Sequence, residues 1–279
     1  MTIRLGSVVD GGAVRRWTAL LLASALVGSL ATGCSARPRV ATTLPAALRV
    51  GTTPIFPPLT MKQHGKLAGV EVDFANLLGQ QLGVEVSITE LPWTELIPAL
   101  VDGKIDVIMS GMSITPSRTR YVDFTVPYMT VGQMAVVRKD DQPRLRDQRA
   151  MDQPTSRVGV LQNTTGDYFA RRSLKQARVV GLVTVDDGIA ALRAGDIDFF
   201  LSDAPTIWEI TAPTKPDNFD LAGIYRPLTT EYLAWAVRQE DQSLRHQLNT
   251  TVLLWEQNGQ LEDIIDDWVR TRRVTLQMK

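Results

Sequence analysis

The 279-residue chain has one cysteine, Cys34, so no disulfide can form within it. Its two histidines, His64 and His246, add too little to that single thiol to build a metal cluster. Charge of one sign is also lacking. Lys and Arg number 30 and Asp and Glu number 30, which removes the electrostatic term that non-specific nucleic-acid binding rests on. The apolar run from Trp17 to Thr32 has 16 residues, short of the ~20 that a membrane-spanning helix needs. Hydrophobic content of 44% and charged content of 22% sit near globular averages, so disordered and fibrous classes drop out. The length suits one large domain or two ordinary ones.

What is present begins with export. Arg4, Arg15 and Arg16 precede the apolar run and Gly33-Cys34 follow it, so residues 1–33 read as a signal peptide outside the fold. The ATGC at its end resembles a lipobox, in which Cys34 is acylated and becomes the new N-terminus. Ala31 stands where that pattern usually has Leu, and simple secretion is the alternative. The Arg15-Arg16 pair also suits twin-arginine export, although basic residues before a hydrophobic core are the ordinary case. After removal of residues 1–33 the chain keeps 27 basic and 29 acidic residues, a net of −2, with no strong field for any partner. Residues 34–45 are small, polar and Pro-bearing, and read as a flexible tether.

A faint internal repeat then sets the organisation. Residues 97–110 (IPALVDGKIDVIMS) and 189–202 (IAALRAGDIDFFLS) are identical at seven of 14 positions. Each runs from a helix end through a Gly stop, Gly103 or Gly195, into a short apolar strand. LRVGT at Leu48 and SRVGV at Ser156 mark matching upstream strands. Each half thus predicts alternating strands and helices on a parallel sheet, in two similar α/β lobes. Val70, Phe74, Leu77, Leu78 and Leu82 predict a helix that stops at Gly83. The charged segment 138–157 reads as a solvated loop between the lobes. EYLAWAVR (231–238) reads as a returning strand, followed by two helical stretches that carry Leu253, Leu254, Trp255, Leu261, Ile265 and Trp268. A chain that crosses and returns leaves two connections, a natural hinge.

Ligands of open α/β sheets bind beyond the carboxyl ends of the strands. There the sequence places SGMSITPSR (110–118), LQNTTGD (161–167) and SDAPT (202–206). Thr115-Pro116 predicts a helix start with Arg118 in its first turn, where a cation is locally unfavourable. The free amides of Gly111 to Ser113, the Ser113 hydroxyl and the Arg118 guanidinium can converge on a carboxylate. A surface Arg pointing to water explains the spacing as well. Thr164 and Thr165 open a second helix with hydroxyls and amide donors, against plain capping as the bland account. Asp203 ends an apolar strand and either faces the site or caps the next helix. A cation met by Asp203 and a carboxylate met by Arg118 describe an α-amino acid.

From Leu48 to about Trp268 the chain resembles the family 3 extracellular solute-binding proteins of polar amino-acid ABC transporters. LRVGTTPIFPPL, KLAGVEVDFANLL, WTELIPALVDGKIDVIMSGMSITPSR, VDFTVPY, VGVLQNTTG and GDIDFFLSD carry the resemblance. It implies a periplasmic-binding-protein fold of the type II, flytrap kind with two hinge crossings. Lobe one would hold 46–131 and 235–279, lobe two 132–234. It gives the ligand carboxylate to Arg118, with Ser113 and the backbone at Gly111. Thr164 and Thr165 donate from the other lobe, and Asp203 accepts from the ammonium. Phe56 and Trp93 fall where relatives set aromatics against the ligand side chain, with core packing as the alternative for each. Thr53 stands where many relatives have an Asp for a cationic group, and with Leu161 it favours a neutral side chain. The resemblance implies a monomer that delivers its ligand to an ABC permease, with no cofactor, metal or nucleic acid. Two other functions fit the same fold, a dehydratase of prephenate- or arogenate-like acids, with Asp203 or Glu209 as its acid, and a sensor that hands its closed form to a receptor.

Overall fold

Two five-stranded sheets are built on one plan, and the site lies where their plans meet. The computed structural model describes residues 47–146 and 148–269; the export segment, Cys34 and the tether lie outside the described residues. In the first sheet Ala47–Thr52 runs parallel between Glu85–Glu90 and Val107–Ile108. Ala236–Val237 joins antiparallel and Asp123–Phe124 forms the edge. In the second sheet Arg157–Leu161 runs parallel between Arg178–Leu182 and Phe199–Asp203, Gln133–Arg138 pairs antiparallel to Phe199–Asp203, and Leu221–Ile224 pairs antiparallel to Gln133–Arg138 at the edge. The predicted parallel sheet therefore covers three strands of each lobe. The fourth strand enters each sheet directly from a crossing, at the end where the parallel strands finish, and so runs against them.

The repeat keeps its packing as well as its order. Gly103 and Gly195 stop their helices with φ of 69° and 74°, a left-handed conformation that glycine adopts without a Cβ penalty. A Cβ on Gly51 would come within 2.3 Å of Ile105 Cδ1, and one on Gly159 within 2.5 Å of Ile197 Cδ1. The repeated isoleucine thus packs onto bare backbone in both lobes. The repeated aspartate is shared in the same way. Asp106 accepts from the backbone and guanidinium of Arg49 and from Arg238. Asp198 accepts from Arg157 and Arg138.

The helix Val70–Leu82 forms as its periodicity predicts and ends at Gly83. The C-terminal helices Gln242–Asn258 and Gln260–Trp268 return to the first sheet. There Trp255 is fully buried and stacks on Phe74 at 5.5 Å, while Trp268 Nε1 donates to Asp73 at 2.6 Å. Leu253 and Leu254 face outward instead. Segment 138–157 departs from the expected loop. It folds into short helical turns at Lys139–Asp141, Gln142–Leu145 and Gln148–Met151. Its two apolar anchors, Leu145 and Met151, are each 2% exposed in an apolar cluster of the second lobe, which is why the segment turns helical, while Lys139, Asp140, Arg144, Arg146 and Arg149 stay exposed to solvent as expected. Met129–Val131 and Glu231–Leu233 pair antiparallel and carry the chain between the sheets.

Candidate functional site

Carboxyl ends of strands from both sheets face each other beside these crossings. A small, nearly closed cavity of about 10 Å³ there is lined by Phe56, Trp93, Gly111, Ser113, Arg118, Thr164, Thr165 and Asp203. These are eight of the nine binding residues expected from sequence. Thr53 is not among them. It is 3% exposed, its Oγ1 donates to Leu91 O at 2.7 Å, and its carbonyl accepts from Thr60 at 2.7 Å. Leu161 also lies off the cavity, in the apolar cluster behind it. Trp93 and Arg118 form the partition to a larger, open groove along Ile97, Val101, Met112, Tyr121 and Tyr168.

Arg118 is held differently from its predicted place. Thr115 to Ser117 make a turn, and Arg118–Arg120 form a single 3-10 turn, too short for a helix because Val122 already dives into the core. The guanidinium is buried and donates to Ser113 O at 2.7 Å. It lies over the Trp93 ring, 5.1 Å from the centroid. Burial pulls its pKa below the usual value, against the fields of Asp203 and Glu231. Among the described residues no carboxylate reaches ion-pair distance of it, so a buried fork of donors remains for an anion. The Gly111 amide is not free as expected, because it donates to Glu71 Oε1 at 2.6 Å. Ser113 Oγ donates to Glu231 Oε2 at 2.7 Å.

On the facing lobe, Thr164 caps the helix Thr165–Ser173 and accepts from the Asp167 amide. The loop before it turns at Asn163, with φ of 61°, where its N–H donates to Asp167 Oδ2 at 3.0 Å. Asp203 begins the helix Ala204–Ile210 but makes no side-chain cap. Its carboxylate instead accepts from Gln133 Nε2. Burial, reinforced by nearby Glu231, pushes its pKa up to about 7 despite Gln133 and Arg118. Phe56 and Trp93 meet edge to face at 5.0 Å. Phe56 comes from the first lobe, yet the other fully buried members of its cluster, such as Met134, Leu161 and Ala204, belong to the second.

Sequence reasoning missed Gln133, Glu231 and Glu71. Gln133 Nε2 also donates to Thr165 Oγ1 and Glu231 Oε1, each at 3.2 Å, so it ties the second lobe to a crossing strand. No motif marks Gln133 or Glu231. Glu71 did leave a signal, as a lone acid on the helix face of Ala75 and Leu78.

Known proteins share this architecture. The L-arginine-binding protein of Pseudomonas aeruginosa is 31% identical over 252 residues, 88% of this chain and 95% of that protein. The cyclohexadienyl dehydratase of the same organism is 27% identical over 236 residues, 81% of this chain and 83% of that one. The crystal structure of a putative ABC-transporter binding component from Wolinella succinogenes, complexed with lysine, superposes with a TM-score of 0.77. Its identity is 29%, and the match covers 81% of this chain and 97% of that one. Residues 48–271 match the bacterial extracellular solute-binding proteins, family 3, and the chain belongs to that family.

Proposed function

We propose that the protein captures a free α-amino acid with an uncharged side chain between its lobes and delivers it to an ABC permease. The observation that carries this reading is the charge of the lining. It holds one buried guanidinium, Arg118, and one buried carboxylate, Asp203, and neither takes part in an ion pair among the described residues. One carboxylate and one ammonium on a ligand match them, as a zwitterion does. Among the described residues Asp203 is the one acid that lines the cavity itself, Glu231 being engaged behind it by Ser113 and Gln133, while Phe56 and Trp93 add aromatic lining. The arginine and lysine named for two relatives make cationic ligands the competing outcome. Calorimetry of the mature protein against all twenty amino acids decides between them. Binding of arginine more tightly than any neutral amino acid would refute the neutral preference.

The lipid anchor belongs to the same proposal and rests on Cys34 standing directly after the export segment 1–33. Cys34→Ser should move the protein from membranes to the soluble fraction without loss of ligand binding. Persistence at the membrane after a high-salt wash would remove the lipid from the picture.

One observation favours a second reading, a dehydratase. Asp203, with its pKa pushed up to about 7, holds a proton near neutrality as a general acid must, and one relative is a dehydratase. Glu209, the other acid that sequence suggested, pairs with Lys215 at 2.8 Å and does not line the cavity. Release of an aromatic product from prephenate, lost in Asp203→Asn, would establish this activity.

A further inference from the structure

Glu71 is a carboxylate that the cavity never touches. It lies in the first turn of Val70–Leu82, 1% exposed, with no cation paired to it among the described residues. Burying such a charge is costly, and the neighbouring positions on its face are apolar. Oε1 accepts from the Gly111 amide and the Tyr128 hydroxyl, each at 2.6 Å, and Oε2 accepts from Trp235 Nε1 at 3.0 Å. These donors come from three separate segments. Gly111 lines the cavity, Tyr128 directly precedes the crossing strand Met129–Val131, and Trp235 follows the crossing strand Glu231–Leu233. The same segments are stitched by backbone. Ile114 N donates to Tyr232 O at 2.8 Å and Ala234 N to Met112 O at 3.1 Å. With both of its oxygens accepting, the side chain serves three donors that no amide of the same shape can serve.

We propose that Glu71 is a positioning residue for ligand capture, locking the Gly111 wall of the cavity to both interlobe strands. The inference rests on the amino-acid reading above for its ligand. It says that the wall and the hinge move as one body, so that lobe closure brings Ser113 and Arg118 to the ligand in a fixed geometry. Glu71→Gln tests it, because the amide that still accepts from Gly111 and Tyr128 must aim its own N–H groups at Trp235 Nε1.

Stopped-flow kinetics should show dissociation faster by about tenfold in Glu71→Gln, the worth of a lost bond, with association little changed. Trp235→Phe removes the opposing donor, so Glu71→Gln/Trp235→Phe should release ligand no faster than Trp235→Phe alone. Wild-type rates in Glu71→Gln, or additive losses in the double variant, would overturn the proposal. A lower melting temperature with unchanged rates would overturn it too, since that is what a merely structural role gives. If Glu71→Gln does not fold, Tyr128→Phe removes one donor alone and should speed dissociation by about threefold or more; unchanged rates there count equally against it. Amide exchange at residues 109–114 and 128–131, measured without ligand, separates this from the functional reading. Faster exchange of both segments together in Glu71→Gln supports the lock even if the wild type binds no amino acid. Unchanged exchange in either segment defeats it.

Discussion

Trp93 Nε1 donates to Asn163 O at 2.9 Å, a hydrogen bond between the lobes at the cavity wall. The same indole packs edge to face on Phe56 and lies under the Arg118 guanidinium. One side chain thus touches the aromatic wall, the Arg118 cation and the opposite lobe. Trp93→Phe keeps a ring in place and deletes the donor. A neutral hydrogen bond contributes ~0.5–1.5 kcal/mol net, so affinity should fall by roughly twofold to tenfold. Because the bond exists only when the lobes meet, the loss should fall on dissociation. A changed association rate with unchanged dissociation would count against an interlobe latch.

Arg118 carries a larger share. Arg118→Ala removes a charge-assisted fork and leaves the ligand carboxylate unpaired in a buried cavity, which should cost ~2–5 kcal/mol of binding. Arg118→Lys keeps the charge but not the planar fork, so it should rescue binding only in part. Small-angle scattering should show the wild type contracting on ligand addition and Arg118→Ala failing to contract at the same concentration. Contraction of both would place the anion site elsewhere.

Much of this geometry was legible in the chain because it is local. The left-handed turn at Asn163, the stops at Gly103 and Gly195 and the caps beside Thr164 follow from residue type and spacing. What spacing hides is which lobe a side chain serves. Phe56 reads as a first-lobe residue and packs in a second-lobe cluster. Thr53 stands beside the site in sequence, yet its hydroxyl turns to Leu91 and away from the cavity. Gln133 and Glu231 matter only because two crossings bring them together, and a contact 98 residues apart has no local signature.

The repeated aspartates predict matched effects on stability. Asp106 and Asp198 each hold two arginines, one from each strand flanking their own in the sheet. Asp106→Asn or Asp198→Asn should each destabilise by somewhat less than the ~3–5 kcal/mol of a fully buried broken pair, because Arg49 and Arg157 are 44% and 37% exposed. Arginine bonds hold both carboxyls below the usual carboxylate range despite burial. Their stabilisation is therefore present at neutral pH and lost as pH falls through those depressed values. Urea denaturation should show the two variants losing comparable stability. A loss confined to one lobe's aspartate would mean that the repeat is sequence alone.

Asp203 predicts a pH dependence of binding. Its pKa, pushed up to about 7 by burial and Glu231, means that much of the ligand-free protein carries a proton on Asp203 below that pH. A ligand ammonium pairs with the ionised form, so binding must expel this proton. Affinity should then rise with pH up to about 7 and level off above it, by at most about tenfold per pH unit below that value. The ligand-free fold runs the other way. Asp203 and Glu71, both pushed up to about 7, bind more protons folded than unfolded between about pH 4 and about pH 7. Their contribution to stability should decline as pH rises through that window. Asp203→Asn cannot titrate, so its weaker binding should lose most of the pH dependence over the same range, leaving Glu71 to shape stability alone. Calorimetry in two buffers of different ionisation enthalpy reads the expelled proton directly. Equal heats in both buffers at pH 6 would mean that Asp203 is already ionised before the ligand arrives, and the assignment of the ammonium to Asp203 would lose its support.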